Sequence, residues 1–138
     1  MNATTMVTRD TTLKRITLDI ETDSKWNHIW LVVTQDLDTK EVTCHTKPET
    51  LSSLLDTAAL VIGHTLLGFD RYHLSRLWKV SIPLTKCFDT LIVSRLMRPD
   101  IQGGHSLEAW GTRLRMPKGD YSEWDNPDLE KLERYCRP

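Results

Sequence analysis

The sequence predicts an α/β fold with a mixed sheet, in which three antiparallel strands are followed by parallel strands and the sheet is flanked by helices. Two observations lead to this prediction. The chain opens with three β-branched, apolar runs joined by only a few residues, and such short connections favour antiparallel neighbours. Strand-like and helix-like patterns then alternate from residue 48 onward.

The three opening strands are predicted at residues 13–22, 28–34 and 41–46, separated by polar turn residues. Pro48 then begins a helix whose leucines, Leu51, Leu54 and Leu55, share one face. The apolar run 59–63 is predicted to be a buried strand lying parallel to the first strand. A loop over residues 64–68 follows it.

The second half of the chain alternates helices with one short strand. Apolar residues at helical spacing predict a helix over residues 69–78, and residues 87–88 are a candidate strand. Asp89 can cap a helix over residues 90–97, and another helix is predicted over residues 106–114. Asn126 as N-cap and Pro127 in the first turn predict a last helix from residue 127 to about residue 136.

Composition predicts one folded domain in a reducing compartment. The 138 residues are 39% hydrophobic, which is enough for a packed core. The net charge of −1 predicts neither a nucleic acid nor a membrane partner, so a polyanionic substrate would need local groups or bound cations. The three cysteines form no CxxC pair, and no run reaches transmembrane length. We expect residues 1–12 to be a flexible N-terminal tail without a signal peptide.

Acidic residues stand near several predicted strand ends. Asp19 and Glu21 lie two apart in an apolar run, so a strand places both on one face, where they repel unless water or a cation lies between them. Asp70 follows the loop after the buried strand, and Asp89 is a weaker candidate that is better explained as a cap. These carboxylates could converge. Alternatively, Asp70 caps its own helix and the pair on the strand is simply solvated.

Two motifs carry a resemblance to a known family. LDIET at residues 18–22 and IGHTLLGFD at residues 62–70 resemble the first two motifs of the 3′-to-5′ proofreading exonuclease domain of family A DNA polymerases, particularly the short-tailed-phage type. That domain belongs to the DEDD superfamily and has an RNase H-like fold. Residues 87–96 and 105–111 are also similar, and Tyr135 matches the start of the third motif of the tyrosine subclass. The resemblance covers residues 13–138.

The resemblance implies a two-metal site for Mg²⁺ or Mn²⁺, for which carboxylate oxygens are suitable ligands. Asp19 would contact both ions, Glu21 one ion, and Asp70 the second site through water. Tyr135 would orient the attacking water, although an aromatic residue that packs the last helix on the sheet is the alternative. The resemblance also implies substrate contacts at five residues: Ile20, Thr22, His64, Thr65 and Phe69.

Two departures from the family pattern follow. Thr65 stands where the family usually has asparagine, which keeps a hydroxyl group but loses an amide donor. The aspartate of the third motif would fall at position 139, so we expect the domain of residues 13–138 to be truncated before it and to bind one metal more weakly. Pro138 also disfavours helix at Arg137.

The expected function is that of a metal-dependent exonuclease acting on single-stranded or frayed DNA 3′ ends in the cytoplasm of a bacterial or phage-infected cell. A polymerase domain or another replisome protein is the expected protein partner. The alternatives are a non-catalytic module that binds single-stranded DNA or a replication partner, and an exonuclease directed at RNA. Five basic residues near the loops could follow the DNA backbone or be ordinary surface charges: Arg95, Arg98, Arg113, Arg115 and Lys118.

Overall fold

A five-stranded mixed sheet forms the centre of the protein. In the computed structural model, which describes residues 13–137, the strand order is β3-β2-β1-β4-β5. The pairs β1/β2 and β2/β3 are antiparallel, and the pairs β1/β4 and β4/β5 are parallel, which confirms the predicted fold class. The strands are β1 (Lys14–Thr22), β2 (Ile29–Asp36), β3 (Val42–His45), β4 (Ala58–Gly63) and β5 (Cys87–Asp89).

Helices connect and flank these strands. The stretch after β4, which we call the composite helix, runs without interruption through a π-helical segment, a single α-helical turn and a second π-helical segment. None of the helices in the described range is long and apolar enough to span a membrane. The helical elements are α1 (Pro48–Thr57), the composite helix with Leu66–Asp70, α2 (Arg71–His73) and Leu74–Trp78, then α3 (Thr90–Met97), α4 (Leu107–Arg113) and α5 (Leu129–Cys136).

The composite helix begins three residues before its predicted start at residue 69. Thr65 has a left-handed backbone conformation with φ of 65°, which turns the chain out of β4. Leu66 then enters the core, where it is fully buried, and the N–H of Phe69 donates to the carbonyl of Thr65. The predicted loop over residues 64–68 is therefore mostly helical, because burial of Leu66 outweighs the low helix propensity of the nearby glycine.

The last helix begins later than predicted. Asp128 is its N-cap, and its carboxylate accepts hydrogen bonds from the backbone N–H groups of Glu130 and Lys131. The prediction of Asn126 as the cap was wrong because Asp128 is an equally good capping residue and is the one whose side chain faces the free N–H groups. The predicted tail, residues 1–12, and Pro138 lie outside the described residues.

Two apolar cores hold the helices on the sheet. The main core contains Ile16, Leu18 and Ile20 of β1, packed against α1 and the composite helix. The smaller core is built on β2, where Leu31 and Val33 contact the fully buried Leu132 of α5. Because successive residues of a strand point to opposite faces, Asp19 and Glu21 lie on the face opposite the main core. The smaller core therefore places α5 beside the two carboxylates.

Candidate active site

The two carboxylates of β1 share one face, as the period of the strand requires. Asp19 pairs with Val33 across the strands and Glu21 pairs with Leu31, so both acidic residues neighbour the smaller core. Glu21 is only 6% exposed, whereas Asp19 is exposed to solvent. One member of the pair is thus buried and the other is in contact with solvent.

Asp70 joins this pair from the composite helix. It is 2% exposed, and its Oδ1 accepts a hydrogen bond of 3.0 Å from the backbone N–H of Ile20, the residue between the two carboxylates of β1. Asp70 does not cap its own helix, because no side-chain capping bond is made there. The structure therefore brings the first and second motifs together.

The pKa values of the three carboxylates show that they interact. Burial, and then the charge of Asp19, raise the pKa of Glu21 to about 7. Burial and Asp19 likewise raise the pKa of Asp70 to about 8. Asp19 is exposed at its surface, but the protein packed around its carboxyl group still raises its pKa, although Lys118 and His64 oppose the shift. Burial is the largest cause of all three shifts, and groups with pKa values perturbed in this way cluster at functional sites.

Lys118 supplies the positive charge that faces these residues. Its ammonium nitrogen lies 4.7 Å from the centroid of the Tyr135 ring. Burial lowers the pKa of Lys118, but the charge of Asp19 and a hydrogen bond to Tyr135 outweigh this effect and the pKa is raised. Sequence reasoning placed Lys118 only among five scattered basic residues, and nothing local distinguished it from the others.

Tyr135 lies in an aromatic cluster beside the smaller core. Its ring centroid is 5.4 Å from that of Tyr121 and 6.0 Å from that of Trp124. The indole N–H of Trp30 donates to the carbonyl of Trp124 at 2.8 Å, which ties the cluster to β2. Tyr135 thus packs α5 onto the sheet, as the alternative interpretation predicted, and also contacts Lys118.

Cys136 contacts Glu21 directly, which sequence reasoning did not anticipate. Its Sγ donates to Glu21 Oε1 at 3.2 Å. Burial and the nearby Glu21 raise the pKa of the thiol, so it remains protonated at neutral pH. The only signal in the sequence was its position next to Tyr135 of the third motif.

The predicted substrate residues fall in two places. Three of them, Ile20, Thr22 and Phe69, line a cavity of about 250 Å³ beside Glu21, together with Trp26 and Trp124. The other two, His64 and Thr65, lie between the end of β4 and the start of the composite helix, and His64 is close enough to Asp19 to lower its pKa. His64 Nδ1 hydrogen-bonds Thr90 at 2.9 Å, and the N–H of Thr65 donates to Asp89 at 3.1 Å.

Asp89 is a structural cap, as predicted. One of its carboxylate oxygens accepts hydrogen bonds from Leu91 and Ile92 at the start of α3. The other oxygen accepts from the backbone N–H of Leu67 at 3.0 Å. With its oxygens engaged in this way, Asp89 holds the composite helix against α3 and is a poor candidate for a metal ligand.

The donor atoms fit a hard divalent cation. Asp19, Glu21 and Asp70 offer only oxygen, the donor that Mg²⁺ and Mn²⁺ prefer, and a bound cation would relieve the mutual repulsion that raises their pKa values. Within residues 13–137, however, no group of three or more His, Cys, Asp and Glu side chains is already arranged as a metal centre. Binding would therefore require the carboxylates to draw together.

Sequence comparison relates the chain to phage DNA polymerases. No family model matches the chain. The DNA-directed DNA polymerase of Enterobacteria phage T3 is 28% identical over 98 residues, covering 54% of this chain and 14% of the phage protein. The polymerase of Escherichia phage T7 matches with the same identity and coverage. The chain thus spans a small part of these relatives.

A solved structure shares the fold. The family B DNA polymerase from Pyrobaculum calidifontis superposes with a TM-score of 0.67 and 14% sequence identity, over 89% of this chain and 22% of that chain. At that identity the match shows the fold alone. The phage sequences support the resemblance to DNA polymerases of phages, and the solved structure supports the fold.

Proposed function

From this relationship to polymerase-type exonuclease domains, we propose that the chain is a metal-dependent 3′-5′ DNA exonuclease domain of the proofreading kind. It would hydrolyse the terminal phosphodiester of single-stranded or frayed DNA in the cytoplasm of a phage-infected or bacterial cell. The observation that carries the proposal is the hydrogen bond from Ile20 to Asp70, which gathers three carboxylates around one segment of β1. A polymerase domain is the partner that the phage relatives suggest.

Asp19, Glu21 and Asp70 would hold the cations, Mg²⁺ or Mn²⁺. Such cations activate a water molecule for attack and stabilise the charge on the leaving 3′ oxygen. The carboxylates would release protons when they bind a cation, because burial and repulsion raise their pKa values in its absence. Exposed Asp19 is the residue best placed to meet solvent-borne ions and the phosphate.

Other side chains would bind and orient the substrate. The cavity lined by Ile20, Thr22 and Phe69 lies beside Glu21 and would receive the terminal nucleoside. Lys118 would pair with the scissile phosphate, since its ammonium group already faces Asp19 and Tyr135. The Tyr135 hydroxyl would then orient the attacking water. His64 and Thr65 would contact DNA further from the reacting bond.

The test is a digestion of a 5′-labelled single-stranded oligonucleotide with Mg²⁺ or Mn²⁺. We expect products shortened from the 3′ end, abolished by a chelator and by Asp19→Ala. The matched control is Asp100→Ala, because Asp100 is exposed and its only ion pair in the described range is a 3.6 Å contact with Arg98. Activity that survives Asp19→Ala, or loss of activity in both variants, would contradict the assignment.

A non-catalytic module that binds single-stranded DNA is the second candidate. It is favoured by the lack of a preformed group of three metal-binding side chains in residues 13–137. Fluorescence anisotropy with the same oligonucleotide separates the two. Tight binding with no cleavage in either metal, unchanged by Asp19→Ala, would establish the binder.

A further inference from the structure

The thiol of Cys136 is the hydrogen-bond donor that reaches the carboxylate of Glu21. Its Sγ lies 3.2 Å from Oε1, between residues 115 positions apart in the chain. No other side chain in residues 13–137 donates a hydrogen bond to this carboxylate. The contact therefore joins the end of α5 to β1.

The position of Cys136 is set by packing rather than by this bond. Leu132 of α5 is fully buried against Leu31 and Val33, and Tyr135 packs with Trp124 on the same side. Cys136 itself packs at the edge of this smaller core and is half-buried. The thiol is consequently held in place before it meets Glu21, as a group that orients another side chain must be.

Glu21 needs such a partner because it is almost fully buried. A glutamate has three rotatable side-chain torsions, and a carboxylate that binds a cation does so better when its orientation is set in advance by a hydrogen bond from a neighbouring group. Its neighbour Asp19 repels it, and would otherwise turn it away from the shared face. A hydrogen bond from a fixed donor to Oε1 limits that rotation.

We propose that Cys136 is a positioning residue that orients the Glu21 carboxylate toward Asp19 for cation binding. The proposal rests on the proposed metal-dependent function. In this proposal, Cys136, the residue directly after Tyr135 on α5, links the third motif to Glu21 of the first motif. The thiol donates a hydrogen bond to the Glu21 oxygen and keeps its proton. It neither binds the cation nor touches the substrate.

The hydrogen bond itself can be tested without any metal. In a single-thiol chain carrying Cys44→Ser and Cys87→Ser, the Raman S–H stretching band of Cys136 should lie at lower wavenumber than that of a free thiol. Adding Glu21→Ala should move the band back up, because the acceptor is gone. A band that is the same with and without Glu21 would overturn the proposal. Melting temperatures show that each variant is folded.

The positioning role is tested by Mn²⁺ binding, measured by calorimetry. Cys136→Ala should bind Mn²⁺ roughly tenfold more weakly. Loss of a group that orients a metal ligand typically lowers metal affinity by about 10- to 100-fold, and this is the lower end of that range. Cys136→Ser, which keeps a donor, should recover part of the affinity. The matched control is Cys87→Ala, a half-buried thiol on β5 that donates to the carbonyl of Pro83 instead. Equal affinity in wild type and Cys136→Ala would overturn the role.

The two proposals fail in different ways. If the wild-type chain binds no Mn²⁺, the metal-dependent function and the positioning role are both refuted, while the Raman band still decides whether the hydrogen bond exists. If wild type binds Mn²⁺ and cleaves DNA, Cys136→Ala should lower kcat and leave KM for the oligonucleotide unchanged, because Cys136 does not hold the DNA. A raised KM with normal kcat would contradict the assignment.

Discussion

The carboxylate of Asp70 accepts a 3.0 Å hydrogen bond from the backbone N–H of Ile20, across 50 positions of sequence. This bond satisfies the N–H group of a buried residue and holds the Asp70 side chain against the backbone of β1. A residue predicted as a ligand therefore also has a structural role. Its substitutions should separate these two contributions.

Asp70→Ala should destabilise the metal-free protein, and Asp70→Asn should not. Alanine leaves the Ile20 N–H without an acceptor, which costs about 1–3 kcal/mol for a buried group. Asparagine keeps an acceptor oxygen and removes the repulsion from Asp19. Urea unfolding with a chelator present measures both. Equal destabilisation by the two substitutions would show that the charge of Asp70, rather than its acceptor oxygen, stabilises the fold.

The metal-free protein should lose stability as the pH rises from about 4, near the ordinary pKa values of Glu21 and Asp70, to about 8, the raised pKa of Asp70. Glu21 and Asp70 have folded pKa values raised to about 7 and about 8, above their ordinary values of 4.5 and 3.8. The folded state therefore binds more protons than the unfolded state in this range. The free energy of unfolding decreases as these protons are released and stops decreasing above the folded pKa values. Thermal unfolding across pH should show this decrease, and Glu21→Gln should reduce it. A melting temperature that rises over the same range would contradict it.

Replacing Lys118 should make the protein more dependent on added cation. Lys118→Met removes the positive charge that faces Asp19, so the metal-free melting temperature should fall, by only about 1–3 °C because the residue is exposed. Mn²⁺ should then raise the melting temperature by more than it does in wild type. Lys131→Met is the control, since Lys131 has a 3.9 Å contact with Glu123 and does not shift the pKa of Asp19, Glu21 or Asp70. An equal effect of both substitutions would exclude a specific role for Lys118.

Thr65→Asn should stabilise the protein by about 0.5–1 kcal/mol. Thr65 has φ of 65°, a left-handed conformation that β-branched residues tolerate poorly and asparagine adopts more readily. The free energy of unfolding in urea measures the gain. Thr57→Asn, at the end of α1, is the control, because Thr57 does not have a positive φ. A gain at Thr57 but not at Thr65 would show that backbone strain is not the cause.

Much of the site could be predicted from the sequence because it depends on local periodicity. Two carboxylates two residues apart on a strand must share a face, and the same alternation places Ile16, Leu18 and Ile20 in the main core on the other face. The cap at Asp89 was predictable for the same reason, since capping is decided within three residues.

Only the tertiary structure decided which distant groups meet those carboxylates. The Ile20–Asp70 hydrogen bond, the ammonium group of Lys118 and the thiol of Cys136 reach the site through parallel strand pairing and through the packing of Leu132 on β2. The composite helix begins at Leu66 because this side chain is buried in the core. The start of α5 after Asp128 was set by which carboxylate faces the free N–H groups. Local propensity carries no information about such contacts, because their free energy comes from side chains that are brought together only when the whole sheet has formed.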